Sequence, residues 1–269
     1  MIHTRQLATL VTDVMDIAHR AGDAIMAVYQ SANTVTHKAD SSPLTEADLQ
    51  AHRIIVHALV GLTPDIPVLS EESVEIPWQT RRGWQCFWLV DPLDGTKEFI
   101  KRNGEFTVNI ALIEAGQPVL GVVHAPVPGT TYWAAQGVGA FKRDAGQQQA
   151  IHVSQRKAGE PIRVVASRSH ADPAQQAMLD ALGDHECISM GSSLKLCLVA
   201  EGAAHLYPRL GPTMEWDTAA AHAIVTAAGG RVTDFDGNEL HYNKPDLHNP
   251  PFVVLAKQDV GLLNTIRGT

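Results

Sequence analysis

The segment at residues 88–99, WLVDPLDGTKEF, constrains the fold of this chain more than any other feature. It begins with an apolar run that predicts a buried strand, which ends in two carboxylates, a proline and a glycine. Pro92 fixes its own φ angle and Gly95 permits a sharp turn, so Asp91 and Asp94 can converge beyond the strand. Converging carboxylates repel unless a cation such as Mg²⁺ neutralises them. The pattern indicates either a metal-binding loop or a simple turn, in which Asp is also common.

Composition and charge limit the classes of function. The chain has 269 residues, enough for one large domain or two closely packed ones, and 45% of them are hydrophobic. Its formal charge of −8 argues against a general binder of nucleic-acid polymers, which needs a basic surface. A small phosphorylated ligand remains compatible with that charge, because one local basic pocket is enough to hold it.

Cysteine usage and hydropathy indicate a reducing, aqueous compartment. Cys86, Cys187 and Cys197 are widely spaced and form no Cys-x-x-Cys pair, which favours small apolar side chains over a disulfide framework or a zinc site. The start of the chain lacks a secretory signal pattern, and no run of about 18 apolar residues is present. We expect a cytoplasmic protein, either free or peripheral on the cytoplasmic face of the inner membrane.

The hydrophobic pattern changes along the chain and predicts two domains. Apolar residues recur at helical spacing up to about residue 29 and again after Pro43, which predicts two helices. Short strands with hairpin spacing then predict a largely antiparallel sheet. After a polar connection at 144–160, strands and helices alternate as in α/β proteins. We expect an N-terminal α+β domain at 1–155 and a C-terminal α/β domain at 156–269.

Three further acidic residues lie at the ends of predicted elements. Glu71 follows a short strand, Asp217 begins an Ala-rich helix, and Asp48 lies in the first turn of an earlier helix. Two of them have an ordinary structural explanation, since Asp217 complements a helix dipole and Asp48 fits a cap together with Thr45. No single one of these positions identifies a functional site. Their combination with the 88–99 segment does.

That combination resembles the inositol monophosphatase-like superfamily, which comprises Mg²⁺-dependent, lithium-sensitive phosphomonoesterases. The resemblance rests on Ser-Glu-Glu-Ser at 70–73, the segment at 88–96, and Trp-Asp-Thr-Ala-Ala at 216–220 followed by Gly-Gly at 229–230. These motifs come in the family order, and the similarity extends over nearly the whole chain. The resemblance implies a layered αβαβα sandwich that combines α+β and α/β organisation.

Further motifs resemble the bacterial CysQ-type 3′(2′),5′-bisphosphate nucleotidases. They are Lys-Glu-Phe-Ile at 97–100, Asn-Gly-Glu-Phe-Thr-Val-Asn-Ile at 103–110, Gly-Ser-Ser-Leu-Lys at 191–195 and Ala-His-Leu-Tyr-Pro-Arg at 204–209. Plain inositol monophosphatases usually carry Thr and Asn directly after the Asp-Gly-Thr. The resemblance implies hydrolysis of adenosine 3′,5′-bisphosphate to AMP, or of its sulfated analogue to adenosine phosphosulfate, and a link to sulfur assimilation.

The resemblance also implies a role for each acidic residue. A metal-activated water attacks phosphorus in line, while Asp48 and the Thr96 hydroxyl orient and deprotonate it, with Glu71 as a further catalytic residue. An all-oxygen ligand set suits two or three Mg²⁺ ions. The implied metal ligands are Glu71, Asp91, Asp94, Asp217 and the backbone carbonyl of Leu93.

Substrate contacts are implied at both ends of the ligand. Gly95 and Thr96 present backbone N–H groups to the scissile phosphate, next to the metal ligands Glu71, Leu93, Asp94 and Asp217. The retained phosphate or ribose needs cations away from the metals. Without the resemblance, Lys and Arg side chains at these positions would be interpreted as solvated surface charges. The implied residues are Ser192, Lys195, Arg209 and His170, with Lys38 and Lys97 as candidates for electrostatic support.

Other classes of phosphate enzyme fit less well. Phosphatases of the haloacid dehalogenase type need Asp-x-Asp after a strand, whereas Asp91 and Asp94 are spaced Asp-x-x-Asp, and a Walker-type GxxxxGK[ST] motif is absent. Two alternatives remain: an inositol or sugar monophosphatase with the same machinery, and a nucleotide- and metal-binding regulator without turnover. The regulator predicts damaged metal positions, whereas the implied ligands are all present. We expect a monomer or a homodimer acting on a small molecule.

Overall fold

The computed structural model describes residues 3–31, 43–73, 75–157, 159–166 and 173–267. The α-helices in these ranges are α1 (Thr4–Ser31), α2 (Pro43–Leu62), α3 (Trp78–Arg81), α4 (Thr96–Lys101), α5 (Pro173–Ala181), α6 (Leu194–Ala200), α7 (Glu215–Ala227) and α8 (Val260–Arg267). The strands are β1 (Val68–Ser70), β2 (Cys86–Asp94), β3 (Thr107–Glu114), β4 (Gln117–Ala125), β5 (Thr130–Ala135), β6 (Gly139–Asp144), β7 (Gln147–Ala150), β8 (Ile162–Ala166), β9 (His185–Ser189), β10 (Leu206–Arg209), β11 (Gly230–Asp234) and β12 (Phe252–Ala256).

Helices α1 and α2 form the outer layer on one face of the first sheet. Leu7, Val11, Val14, Ala18 and Ala21 of α1 recur every three or four residues and are buried, as an amphipathic helix requires. Helix α1 packs on α2 and on β3 to β5, while α2 packs on β1 and β2. This packing places the start of α2 beside the ends of the first two strands.

The first sheet contains seven strands in the order β1 to β7. Strand β1 is parallel to β2, and each later strand is antiparallel to its neighbour. Both faces are covered: Ile110 and Leu112 of β3 pack with the α1 and α2 side chains, while Ala111 and Ile113 pack with those of α6 and α7. Strands covered on both faces give continuous apolar runs, as in this part of the sequence.

The second sheet contains five strands in the order β11-β12-β10-β8-β9, with parallel and antiparallel pairs. Side chains of α5 and α8 pack with Ile162, Val164 and Val253 on its outer face. Helices α6 and α7 lie between the sheets, and a Cβ at Gly121 of β4 would overlap the carbonyl oxygen of Ala220 in α7. The layers therefore alternate helix, sheet, helix, sheet, helix, which confirms the predicted αβαβα sandwich.

The polar connection is shorter than the sequence predicts, because 147–150 pair with β6 as strand β7. All four residues of β7 are exposed, and an edge strand with both faces in water needs no apolar alternation. The chain passes between the sheets at 151–161, and a domain boundary at 155 stays a prediction. Within the described ranges, no helix combines the length and apolar character needed to span a membrane.

Candidate active site

A bulge at the end of β2 directs Asp91 and Asp94 to the same face of the sheet. Asp91 lies opposite Asn109 of β3 and Asp94 lies opposite Thr107, with a register shift between the two pairs. Residues two apart on a strand share a face, so the two carboxylates opposite them share a face as well. Asp91 Oδ1 accepts a hydrogen bond from the backbone N–H of Leu93 at 3.1 Å, which tightens the turn.

Glu71 reaches the same place from the neighbouring strand. Ser70 pairs in parallel with Val90, and the N–H of Glu71 donates to the carbonyl of Val90 at 3.1 Å. Burial raises the pKa of Glu71, and the charges of Asp94 and Glu72 act in the same direction. Carboxylates brought together in this way repel unless a proton or a cation neutralises them.

Asp94 is held by the loop that precedes α6. Ser193 donates its backbone N–H to Asp94 Oδ2 at 2.6 Å, and Ser192 donates its hydroxyl to the same oxygen at 2.7 Å. The φ angle of Ser192 is 54°, in the left-handed region that residues other than glycine rarely adopt. The hydrogen bonds that described residues donate to Asp94 end on Oδ2, which leaves Oδ1 for another partner.

Thr107 stands at the centre of the polar cluster behind Asp94. Its hydroxyl lies 2.5 Å from the Ser192 hydroxyl and 2.9 Å from the Ser193 hydroxyl, and it donates to Asn109 Oδ1 at 3.1 Å. Ser193 also donates to Asn109 Oδ1, at 2.8 Å. Thr107 and Asn109 are buried, so these bonds are shielded from water and restrict the rotation of the Asp94 carboxylate.

Asp217 approaches from the helical layer between the two sheets, on the first turn of α7. Its Oδ2 accepts the N–H of Met214 at 2.9 Å, so the side chain caps the helix as its sequence position suggests. Burial, followed by the nearby charge of Asp94, raises the pKa of Asp217 to about 7. The same side chain therefore caps the helix and adds a further carboxylate to the cluster.

Asp48 lies on α2, beside Glu71 and Glu72. Burial and the charges of Glu72 and Glu71 raise the pKa of Asp48 to about 8. Its Oδ1 is buried and has no hydrogen-bond partner among the described residues, an arrangement that is costly without water or a cation. Asp48 does not line the cavity that contains Thr96, so the predicted joint action of these two residues stays a prediction.

These acidic groups fit a hard divalent cation. Asp91 is 1% exposed, and burial together with Asp94, Glu71 and Asp217 raises its pKa well above the ordinary value. Either protons or a bound cation must relieve such crowding. Mg²⁺ prefers oxygen ligands and keeps several of its waters, so it needs no closed cage of side chains. Within the described ranges, indeed, no three His, Cys, Asp or Glu side chains already enclose one ion position.

A cavity of about 370 Å³ lies beside the carboxylates and is lined by residues of both sheets. Lys195 and Arg209 line the same cavity. Burial lowers the pKa of Lys195, and its Nζ is 6.0 Å from the centre of the Tyr207 ring. Arg209 donates to the carbonyls of Gly211 at 3.1 Å and Pro212 at 3.2 Å, which fixes its guanidinium group. One cavity thus contains both the carboxylates and two cationic side chains.

The start of α4 also lines this cavity, through Gly95, Thr96 and Lys97. Gly95 has a φ angle of 99°, and a Cβ there would lie 3.2 Å from Phe106. Glycine is therefore required for the turn that brings these residues to the cavity.

The structure does not show the predicted substrate contacts of Ser192 and His170. Ser192 lines the cavity, but its hydroxyl is already donated to Asp94, so it acts on Asp94 in this arrangement. His170, like Lys38, lies outside the described residues.

The sequence interpretation assigns no role to Thr107, Asn109 and Ser193, which hold Asp94. The sequence does distinguish Thr107 and Asn109, because they are the polar positions in a strand that otherwise contains Val, Ile, Ala and Leu up to Glu114. A polar side chain that is buried in such a strand needs a hydrogen-bond partner. Ser193 carries no comparable signal, since its contact depends on the tertiary fold.

Comparisons with known proteins agree over almost the full length. The model of the inositol monophosphatase family matches residues 7–266. A 3′(2′),5′-bisphosphate nucleotidase CysQ of Escherichia coli O157:H7 is 55% identical over 248 residues, which cover 91% of this chain and 99% of the relative. A protein of the same name from Aggregatibacter actinomycetemcomitans is 42% identical over 252 residues, covering 93% of this chain and 94% of the relative.

Solved structures show the same similarity. The crystal structure of CysQ from Bacteroides thetaiotaomicron has a TM-score of 0.84 and 44% sequence identity, covering 93% of this chain and 97% of that one. The extragenic suppressor protein SuhB from Bartonella henselae has a TM-score of 0.78 and 25% identity, covering 96% of this chain and 98% of that one.

Proposed function

Because this chain belongs to the inositol monophosphatase family, we propose that it is a Mg²⁺-dependent 3′(2′),5′-bisphosphate nucleotidase. It would hydrolyse adenosine 3′,5′-bisphosphate to AMP and phosphate, and the sulfated analogue to adenosine phosphosulfate, as part of sulfur assimilation. The name of the relative that is 55% identical supports the substrate class. A cytoplasmic location, free or at the membrane face, and a monomeric or homodimeric state stay predictions.

The observation that carries this proposal is the presence of carboxylates and cationic side chains in one cavity. Its lining includes Glu71, Asp91, Asp94 and Asp217 together with Lys195 and Arg209. A monophosphate ester needs only the carboxylates and the metal that they would hold, whereas a bisphosphate also places a second phosphate against the cations. The cavity of about 370 Å³ lies within the range of small-molecule sites.

The proposed metal site accounts for the crowded carboxylates, with room for two or three ions. When bound, Mg²⁺ supplies positive charge that stabilises the phosphate and acidifies a water molecule. The polar cluster around Thr107 keeps one oxygen of Asp94 occupied and the other available. The proposed ligands are the side chains of Glu71, Asp91, Asp94 and Asp217 and the backbone carbonyl of Leu93.

Asp48, Thr96 and Glu71 are the proposed catalytic residues. Asp48 lies beside Glu71, and its buried Oδ1, which has no hydrogen-bond partner among the described residues, can accept a proton from the attacking water. The Thr96 hydroxyl orients the attacking water. Glu71 contributes to catalysis as a ligand of the proposed metal site. The N–H groups of Gly95 and Thr96 stabilise the phosphate oxygens as water attacks in line with the leaving ribose oxygen.

Lys195 and Arg209 are proposed to bind the phosphate that is retained. Their place in the lining of the cavity that also contains the carboxylates supports this role. Ser192 supports substrate binding through Asp94, and a contact from His170 stays a prediction.

Phosphate release tests the proposal directly. Purified protein with Mg²⁺ is assayed on adenosine 3′,5′-bisphosphate and on inositol 1-phosphate. We expect a higher kcat/KM on the bisphosphate, because it engages the cationic side chains as well as the carboxylates. Faster release from the inositol ester would instead indicate an inositol or sugar monophosphatase, and no release from either would indicate a regulator without turnover.

A further inference from the structure

Building on the proposed function, we propose that Glu98 determines specificity for the sugar by accepting a hydrogen bond from the ribose hydroxyl next to the scissile phosphate. Glu98 lies on the first turn of α4, two residues after Thr96, and lines the same cavity. The proposed catalytic and phosphate-binding roles leave this carboxylate without an assignment. Among the described residues, no hydrogen bond or ion pair engages its side chain, so both oxygens are available to a ligand.

Tight packing holds the side chain of Glu98 in place. A Cβ at Gly191 would lie 2.6 Å from Glu98 Cγ and 2.8 Å from the carbonyl oxygen of Glu105. The stem of Glu98 therefore rests directly on the backbone of the loop that continues into Ser192 and Ser193. Because this loop also holds Asp94, the position of Glu98 is tied to that of the proposed metal site.

The charges around Glu98 define which ligand group suits it. Burial lowers the pKa of Lys195, while the negative charges of Asp94 and Glu98 both oppose that change. The ammonium group of Lys195 is therefore attracted by both carboxylates. A phosphate placed against Glu98 would be repelled. A neutral hydroxyl donor would form a charge-assisted hydrogen bond there instead.

The chemistry of the substrate places such a donor in this region. In a nucleoside 3′,5′-bisphosphate the ribose connects the two phosphates. With the 3′-phosphate at the carboxylates and the 5′-phosphate at Lys195, the ribose lies between these groups, in the cavity that Glu98 also lines. Its 2′-hydroxyl is the neutral donor nearest the scissile bond. A site that hydrogen-bonds a hydroxyl discriminates against the analogue that lacks it, because the protein group is then left unpaired.

The test compares kcat/KM for adenosine 3′,5′-bisphosphate and for its 2′-deoxy analogue. We expect the wild type to prefer the ribose substrate by about tenfold or more, as for a hydrogen bond to a charged group. Glu98→Ala should bring the ratio close to one through a loss on the ribose substrate alone. Glu98→Gln should give an intermediate ratio, because its amide oxygen is a weaker acceptor.

Glu105→Gln is the matched control, since Glu105 also acts on the charge of Lys195 but does not line the cavity. We expect it to leave the substrate ratio unchanged. An unchanged ratio in the Glu98 variants, or an equal loss on both substrates, would overturn the role of Glu98 while leaving the nucleotidase activity intact. Failure of the wild type to hydrolyse either bisphosphate would instead overturn the proposed function, and this inference with it.

Discussion

Ser193 and Asp94 lie 99 positions apart in the chain, and a hydrogen bond of 2.6 Å joins the backbone N–H of Ser193 to Asp94 Oδ2. Asp94 ends a strand of the first sheet, whereas Ser193 precedes α6, which packs on the second sheet. The two sheets therefore assemble the proposed metal site together, and the orientation of Asp94 depends on residues that bind neither metal nor substrate.

Replacement of Thr107 by valine tests this dependence. Thr107→Val keeps the shape but removes the hydroxyl shared by Ser192, Ser193 and Asn109. We expect activity or apparent Mg²⁺ affinity to fall by about 10- to 100-fold, as for other groups that orient metal ligands. The measurement is phosphate release against Mg²⁺ concentration. Thr107→Ser restores the hydroxyl and should recover most of the loss; equal defects in both variants would point to packing instead.

Lys195→Ala tests the role of the cationic side chains in the cavity. Loss of a charge-assisted hydrogen bond costs about 1.5–3 kcal/mol, so kcat/KM for adenosine 3′,5′-bisphosphate should fall by about 10- to 100-fold. Release from p-nitrophenyl phosphate, which has no second phosphate, should change little. Lys101→Ala, at an exposed position of α4, serves as the control. Equal losses on the two substrates would rule out a role for Lys195 in substrate choice.

The burial of His124 should lower the free energy of unfolding at acidic pH. Its ring packs edge-on against His19 at 4.7 Å between centroids, and its Nδ1 is 3.0 Å from Thr131 Oγ1. Burial, followed by the charge of His19, lowers the pKa of His124 from 6.5 to about 4. The unfolded chain therefore gains a proton below about pH 6.5 that the folded protein does not take up until about pH 4. The resulting loss of unfolding free energy should be absent above pH 6.5 and reach about 3 kcal/mol near pH 4.

Urea unfolding of wild type and His124→Gln between pH 7.5 and pH 4 measures this effect. Gln does not titrate, so the difference in unfolding free energy between the two proteins should shrink as the pH falls. A difference that is independent of pH for His124→Gln would contradict the assignment.

The sequence predicts the features of the site that depend on local turn chemistry. A strand ending in Asp-Pro-Leu-Asp-Gly indicates convergence of Asp91 and Asp94, and the bulge opposite Thr107 provides it. Asp217 is predicted at the first turn of a helix, where it also acts as a cap. These features can be read from the sequence because each depends on a few neighbouring residues.

Contacts between distant segments could not be predicted in the same way. Ser192 is interpreted from the sequence as a ligand of the substrate, yet its hydroxyl is donated to Asp94, which is 98 positions away. Strand β7 is not predicted from the sequence, because an exposed edge strand carries no hydrophobic alternation. The polar residues of β3 signal a buried network, but only the fold shows that its partners lie before α6.

The most direct test of a carboxylate-held metal site is phosphate release by Asp94→Asn. The amide oxygen of Asn can still accept hydrogen bonds from Ser192 and Ser193, so the variant should fold, as circular dichroism would verify. With adenosine 3′,5′-bisphosphate, wild type should require Mg²⁺ and lose activity in EDTA, and Asp94→Asn should be slower by orders of magnitude at saturating Mg²⁺. Near-normal release by Asp94→Asn, or release by the wild type that persists in EDTA, would contradict the proposed site.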